Sequence, residues 1–361
     1  MNAAHEVLLK LIRISLGGVD ESALSEGVDW GEVYRISIEQ GVCAVCSEAL
    51  KRVFDSQQTE PFANIETVFY SWIGQTMVQE SEYAGQWKAA CELGKIWSDK
   101  GLTPVVLKGF SYARYYPIPG HRGCCDMDSF LFDKWEEGNK CVEDKGIAVS
   151  RGFYKNSSFT YEELFVENHR YCSPVRGGKR RKQYEHYLRG LLDQGPLSSI
   201  EGSALLSPPV MFDALFFMSH AQNHFINEGG IQLRHICDWI CIRNKFDANI
   251  RNVQFVEICK RFGFWKFAYA VDEVADVVMG VKSYTMISEA GRRLLDEILR
   301  PTCCSVEFSR GWHTRLQLIK AMFQSRWKYE LYSDSSFVVS LCGTVWAYLF
   351  EKEPKLSKDD F

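Results

Sequence analysis

The spacing of apolar residues predicts a mostly helical first third of the chain. Over residues 6–51 and 65–100, apolar side chains recur three and four positions apart, which places them on one face of an α-helix. The pattern changes after Lys100, where the segment GLTPVVLKG carries a short β-branched run between Pro104 and Gly109. A run bounded in this way is typical of a buried strand.

Strand and helix patterns alternate in the middle of the chain. SYARYY predicts a helix, DMDSFLF a second strand and DKWEEGNKCVEDKG another helix, whereas the periodicity of QYEHYLRGLL does not distinguish helix from strand. Such alternation favours a small mixed α/β unit. Beyond Pro208 the helical pattern returns. We therefore predict an α+β protein with a helical N-terminal region over residues 1–100, an α/β core over 101–205 and a helical C-terminal region over 206–361.

The composition favours a globular protein of about two domains. Apolar residues make up 46% of the 361 positions, which is enough for a large core. The 42 basic side chains face 46 acidic ones, so the chain gives no strong nucleic-acid signal. The least polar run, Phe337 to Phe350, is shorter than the roughly 20 residues that a membrane-spanning helix needs. We therefore predict no membrane partner.

The cysteines and the N-terminal segment predict a cytoplasmic location. The chain has 13 cysteines, an odd number, and Lys10 and Arg13 interrupt the apolar N-terminal stretch, which makes it a poor signal peptide. We expect free thiols in a reducing compartment. Cys43 and Cys46 have the spacing of a metal or redox motif, but no second pair follows at zinc-ribbon spacing. Buried core positions on a helix are the favoured interpretation of this pair.

Asp126 and Asp128 are the first candidates for chemistry. One residue separates them in a strand-like segment, so both carboxylates should project from the same face. Neighbouring carboxylates repel each other unless a cation lies between them. Magnesium is the natural cation, because it takes oxygen ligands and often combines one or two carboxylates with substrate phosphates. The alternative is an exposed, solvated pair at a strand edge.

Three residues before this pair could bind phosphate. Gly109 would let backbone amides approach a phosphate, and Lys108 would supply a point charge. Arg122 could add a bidentate phosphate contact. Each has an ordinary alternative, a turn for Gly109 and a solvated surface charge for the other two. Their combination with Asp126 and Asp128 within 21 residues favours a nucleotide site.

The segment VVLKGFSYARYYPIPGHRGCCDMDSFLF resembles the signature of the uncharacterised nucleotidyltransferase family, a bacterial branch of the DNA polymerase beta superfamily. The shared pattern is an apolar strand ending in L-K-G, a Tyr-Pro step, an arginine and then D-x-D followed by apolar residues. The matching positions are Leu107, Lys108, Gly109, Tyr116, Pro117, Arg122, Asp126 and Asp128. The resemblance implies a small polymerase-beta-like core, a mixed sheet with helices, flanked by the two helical regions.

The same resemblance implies a third metal ligand. The superfamily has a third carboxylate on a later strand, and Glu185, His186 and Tyr187 match the family's later Glu-His-aromatic segment. Glu185 is thereby implied as the third ligand, with a solvent-facing position on a helix as the alternative. Phe110 stands where the wider superfamily has serine or glycine, so the phosphate loop would rely on its backbone and on Lys108.

The function implied by the resemblance is magnesium-dependent nucleotidyl transfer. An acceptor hydroxyl of a small molecule, a sugar or a protein would attack the α-phosphate of a nucleoside triphosphate, and pyrophosphate would leave. Two Mg²⁺ ions would be held by Asp126, Asp128 and Glu185, while Lys108, Gly109 and Arg122 would bind the nucleotide. The alternative is a non-catalytic nucleotide-binding or regulatory protein on the same fold. A helical interaction protein with an incidental D-x-D is a weaker one.

Three histidines form a second, weaker candidate cluster. His220 and His224 lie one helical turn apart, and His235 follows, which superficially suits zinc. No glutamate follows the first histidine as in H-E-x-x-H, and the helix is rich in aromatic residues. Hydrogen-bonded core histidines are the favoured interpretation.

Overall fold

The computed structural model describes residues 1–17, 27–56, 65–124, 126–151, 154–176, 178–227, 229–245, 253–300, 323, 326–334 and 336–342. Thirteen helices are labelled in chain order: α1 Ala3–Ser15, α2 Trp30–Glu39, α3 Cys43–Ser56, α4 Ile65–Asp99, α5 Phe110–Ala113, α6 Trp135–Glu143, α7 Lys179–Gln194, α8 Val210–Asn227, α9 Leu233–Arg243, α10 Phe255–Phe262, α11 Trp265–Val278, α12 Glu289–Ile298 and α13 Arg326–Tyr332. Six strands are β1 Val105–Val106, β2 Met127–Phe130, β3 Asn156–Tyr161, β4 Leu164–His169, β5 Ser198–Ser199 and β6 Leu206–Ser207.

The chain folds into two units, each built from several chain segments. One comprises residues 1–79, 221–241 and 263–337, and the other comprises 80–220, 242–262 and 338–361. The division into regions 1–100, 101–205 and 206–361 stays a prediction. Each of the two units contains segments from more than one of these regions. The site residues all belong to the second unit.

The first unit is helical in its described part. Asn2 caps helix α1, because its side chain accepts a hydrogen bond from the His5 amide at 2.9 Å. The apolar face of α1 is buried, and the helix packs against α2 and α3. Cys43 and Cys46 are buried on α3, which confirms their interpretation as core residues. Burial also raises the pKa of both thiols.

The second unit contains a mixed sheet with the strand order β3-β4-β2-β1-β6-β5. The central strand β1 pairs antiparallel with β2 and parallel with β6, and β2 in turn pairs parallel with β4. All four residues of β2 are buried, as expected for a strand with neighbours on both sides. The predicted α+β class and mixed sheet are confirmed, while the polymerase-beta-like identity of the core stays a prediction.

Aromatic residues fix helix α4 to this sheet. Trp97 is fully buried, and its indole Nε1 donates a hydrogen bond to the Gly138 carbonyl oxygen at 3.1 Å. Phe110, just after β1, packs edge-on against Tyr83 and lies 5.1 Å from the Trp87 ring. These contacts bury Phe110 completely. The residue that departs from the superfamily pattern therefore belongs to the hydrophobic core.

The segment QYEHYLRGLL, whose state periodicity did not decide, belongs to helix α7. Residues 179–194 are helical, and the solvent-facing alternative for Glu185 is wrong, because its side chain is fully buried. No helix among the described residues is both long and apolar enough to span a membrane. Most of the apolar run from Phe337 to Phe350 lies outside the described residues.

Candidate functional site

Lys108 and the two aspartates meet beside strands β1 and β2. The Leu107 amide donates a hydrogen bond to the Asp128 carbonyl oxygen at 2.8 Å, which fixes the two strands in register. The Lys108 Nζ then lies 3.0 Å from Asp126 Oδ2 and 3.0 Å from Asp128 Oδ2. Asp126 is 31% exposed and Asp128 only 2%. The two carboxylates therefore share one face of the sheet, around a lysine ammonium group.

Gly109 allows the chain to turn directly after Lys108. Its φ is +72°, a backbone angle that residues other than glycine rarely adopt. A Cβ atom at this position would lie 2.9 Å from the Asp126 carbonyl oxygen and 3.0 Å from Cys124 Sγ. Both the backbone angle and the lack of space require glycine here.

We expect Gly109→Ala to lower the free energy of unfolding by about 1–3 kcal/mol, because it forces a strained backbone angle and a close contact with the Asp126 carbonyl. Gly190→Ala on α7 is the matched control, since its Cβ would contact nothing outside the backbone of its own helix and alanine favours helix. Urea unfolding followed by circular dichroism measures both. Equal stability of the two variants would contradict a strained turn.

Strand β4 brings a glutamate and a histidine to the same place. Asp128 pairs with Glu167 in the parallel register of β2 and β4, and His169 follows two residues later on the same face of β4. The His169 Nε2 lies 2.6 Å from Asp128 Oδ1 and 3.3 Å from Glu167 Oε2. Asp128 is thus shared between Lys108 on one side and His169 on the other.

The surroundings of His169 favour its neutral form. Burial, together with the charge of Lys155, lowers its pKa, although Glu167 opposes the shift. The Nδ1 atom lies 3.2 Å from the Tyr171 carbonyl oxygen. That oxygen and Asp128 Oδ1 can both only accept, so either ring nitrogen can carry the proton in the metal-free site. A cation bound at Nε2 would fix the proton on Nδ1, facing the Tyr171 carbonyl.

His169 and two lysines lower the pKa of Glu167. Burial favours its neutral form, but His169, Lys108 and Lys155 outweigh burial and hold the pKa of Glu167 well below its ordinary value. Burial in turn lowers the pKa of Lys155, with Glu167 opposing the shift. The charge of Glu167 thus favours the ammonium form of Lys155, and burial opposes it.

The site fits a divalent cation. One ligand atom each from Asp128, Glu167 and His169 can be chosen so that all three lie within 4.8 Å of one another. The Asp128 Oδ2 atom is buried and forms an ion pair with Lys108 at 3.0 Å, which leaves Oδ1 toward His169. Carboxylate oxygens and a neutral imidazole whose other nitrogen is fixed by a carbonyl are common metal ligands. Asp126 lies outside this cluster and contacts Lys108 instead.

Glu185 lies elsewhere, at the base of the loop after β4. Its Oε1 accepts from the Cys172 amide at 3.0 Å and its Oε2 accepts from the Ser173 amide at 2.7 Å. The Arg189 Nε donates to Oε1 at 2.9 Å. Glu185 thus anchors the loop that includes Tyr171, whose carbonyl oxygen orients His169. Glu185 therefore has backbone amides and Arg189 as its partners. The cluster that could hold a metal ion consists of Asp128, Glu167 and His169.

Arg122 and the remaining histidines complete the set of predicted residues. Arg122 is buried, and its guanidinium carbon lies 5.4 Å from the centre of the Tyr112 ring; its contact with phosphate stays a prediction. His220 stacks on Phe216. His235 accepts a hydrogen bond at Nδ1 from the Gln232 amide. Among the described residues, none of the three histidines joins a metal-type cluster.

Glu167, His169 and Lys155 were not predicted as site residues. The segment ELFVENHR does carry a signal, because Leu164 and Val166 alternate with exposed Phe165 and partly exposed Glu167 as in a half-buried strand. Glu167 and His169 then have the same one-residue spacing as the aspartate pair. Their pairing with β2 depends on register, which the sequence does not encode locally.

A model of one protein family matches residues 26–280, and its description is "Uncharacterised nucleotidyltransferase". The match covers more than two thirds of the chain. The chain belongs to this family. Membership supports the prediction that the protein is a transferase enzyme. No curated protein and no solved structure matches the chain.

Proposed function

We propose that this nucleotidyltransferase family member moves a nucleoside monophosphate from a nucleoside triphosphate to an acceptor hydroxyl, with release of pyrophosphate. The main support is the meeting of three carboxylates, Asp126, Asp128 and Glu167, and Lys108 beside strands β1, β2 and β4. Three carboxylates suit cations, and a lysine suits the phosphates that accompany them.

Each side chain has a distinct part in this proposal. Divalent cations, two Mg²⁺ by the family resemblance, would supply charge stabilisation at the phosphates and activation of the acceptor hydroxyl when bound. Asp128, Glu167 and His169 would hold one cation. Asp126 and Asp128 would hold the other. Lys108 would offset negative charge on the triphosphate, and the turn at Gly109 would let backbone amides approach it.

Glu167 is the third carboxylate of the proposal, in place of Glu185. It lies on a strand that pairs with the Asp128 strand, and it is partly exposed, with 32% of its side chain accessible. Glu185 is fully buried and already accepts hydrogen bonds from two backbone amides, the Ser173 hydroxyl and Arg189. A carboxylate used in this way stabilises a loop, and it would have to give up these donors to bind a cation.

Substitution of Glu167 should affect metal binding, whereas substitution of Glu185 should affect stability. We expect Glu167→Gln to weaken Mn²⁺ binding at least about tenfold with little change in stability. We expect Glu185→Gln to lower the free energy of unfolding by about 1.5–3 kcal/mol, because its new amide group faces hydrogen-bond donors on either side. Calorimetric titration measures the first effect and urea unfolding the second. The reverse pattern would return the third-ligand role to Glu185.

The proposed activity is tested by transfer of label from nucleoside triphosphates carrying a radioactive α-phosphate. The protein is incubated with each of the four, Mg²⁺ or Mn²⁺, and the small-molecule and protein fractions of a cell extract as acceptor sources. We expect a labelled product and pyrophosphate with the wild type, and neither with the Asp126→Asn, Asp128→Asn double variant. Metal-dependent nucleotide binding without transfer to any fraction would favour the non-catalytic alternative.

A further inference from the structure

Lys108 lies where a cation shared by the two aspartates would have to lie. Its Nζ atom is 3.0 Å from an oxygen of Asp126 and 3.0 Å from an oxygen of Asp128. A divalent cation bridging the same two oxygens would compete with this ammonium group for both space and charge. The position between Asp126 and Asp128 is termed the bridging position below.

We propose that Lys108 fills the bridging position in the nucleotide-free protein, and that a triphosphate opens it to a divalent cation by drawing the ammonium group away. The inference rests on the proposed function, because it assigns an order of binding to the same site. The lysine acts as a stand-in cation that keeps Asp126 and Asp128 together before the nucleotide arrives.

The local structure lets the side chain move while its backbone stays fixed. On one side, the Leu107 amide is hydrogen-bonded to the Asp128 carbonyl. On the other, Gly109 has a constrained turn with no room for a Cβ atom. The lysine itself has a flexible four-carbon stem and a compact charge, and 17% of its side chain is accessible to solvent. A triphosphate carries more negative charge than the aspartate pair, so it can attract the ammonium group away.

The cluster of Asp128, Glu167 and His169 does not depend on the replacement of Lys108 by a cation. Asp128 Oδ1, Glu167 Oε2 and His169 Nε2 face one another on the side of Asp128 away from the Lys108 contact, which uses Oδ2. A cation can therefore bind there while Lys108 remains in the bridging position. The two positions should fill separately, the histidine-containing one with metal alone and the bridging one with metal plus nucleotide.

Mn²⁺ stoichiometry tests this order. Titrations followed by calorimetry and by the electron paramagnetic resonance signal of free Mn²⁺ should give one ion per chain for the wild type alone. With a triphosphate that has a non-hydrolysable α,β-bridge, they should give two. Lys108→Met should bind two ions without nucleotide. Its affinity for the second ion should exceed any second-ion affinity of the nucleotide-free wild type at least about tenfold. Lys140→Met, which removes an exposed charge from α6, should behave as the wild type.

Further variants keep the test decisive. Adding Asp126→Asn to Lys108→Met should remove the second ion and leave the first. Lys108→Met should melt at a lower temperature than the wild type in a chelator, because the aspartates then lack a cation, and Mn²⁺ should restore it. Two ions in the nucleotide-free wild type, with affinities unchanged by Lys108→Met, would overturn the inference alone. No Mn²⁺ binding with or without nucleotide would overturn the proposed function as well.

Discussion

Asp128→Asn should weaken Mn²⁺ and nucleotide binding at least about 100-fold and abolish transfer. Asp128 is buried, and its carboxylate contacts Lys108 through one oxygen and His169 through the other. Its substitution therefore alters both cation positions at once. Replacing a residue that merely supports a ligand already costs about 10- to 100-fold in metal affinity, so loss of a shared ligand should cost more. Calorimetry gives the affinities, and pyrophosphate release gives the rate.

Asp126→Asn and Asp144→Asn serve as comparison variants for Asp128→Asn. Asp126→Asn should have a smaller effect on Mn²⁺ binding without nucleotide, because Asp126 is partly exposed and absent from the histidine-containing cluster. Asp144→Asn removes an exposed carboxylate of the same unit and should change neither affinity. Binding by Asp128→Asn that matches the wild type would remove Asp128 from the site.

Arg114→Met should lower the free energy of unfolding by about 3–5 kcal/mol. Arg114 follows α5, and its Nη2 lies 2.6 Å from Oδ2 of Asp213 on α8. Asp213 is fully buried and also accepts from the Tyr115 hydroxyl at 2.7 Å. Removing one partner of a buried ion pair leaves the other charge uncompensated, which costs about this much. Urea unfolding at pH 8 measures the loss.

Adding Asp213→Asn to Arg114→Met should recover part of that stability, since no charge then remains buried. The pH dependence gives a second check. Burial raises the pKa of Asp213 to about 7, although Arg114 and Tyr115 oppose the shift. A carboxyl whose pKa is raised on folding favours the folded state at low pH and loses that contribution as pH rises from about 4 through 7. Asp213→Asn should remove this slope, and an unchanged slope would exclude Asp213 as its source.

The first two strands and the aspartate pair could be predicted from the sequence for local reasons. Proline and glycine bracket the apolar run of β1, and the strand period of two places Asp126 and Asp128 on one face. The helix patterns before residue 100 follow from amphipathic spacing in the same way. These are properties of neighbouring residues, so they do not depend on how distant segments pair.

The other half of the site depends on distant pairing. Strands β3 and β4 are joined through Glu162 and Glu163, and Glu162 has a φ of +52°. Neither residue is one that usually marks a tight hairpin. Only the parallel register of β2 and β4 places Glu167 beside Asp128. The resemblance to the family pointed instead to Glu185, whose partners are set by the loop after β4.

A structure with Mn²⁺ and a non-hydrolysable triphosphate would locate both cations and the nucleotide. Anomalous scattering locates Mn²⁺ independently of the protein coordinates. We predict Mn²⁺ peaks in contact with Asp128, Glu167 and His169 and between Asp126 and Asp128, with the triphosphate held by Lys108. Peaks remote from these side chains, or a triphosphate bound away from β1 and β2, would contradict this prediction.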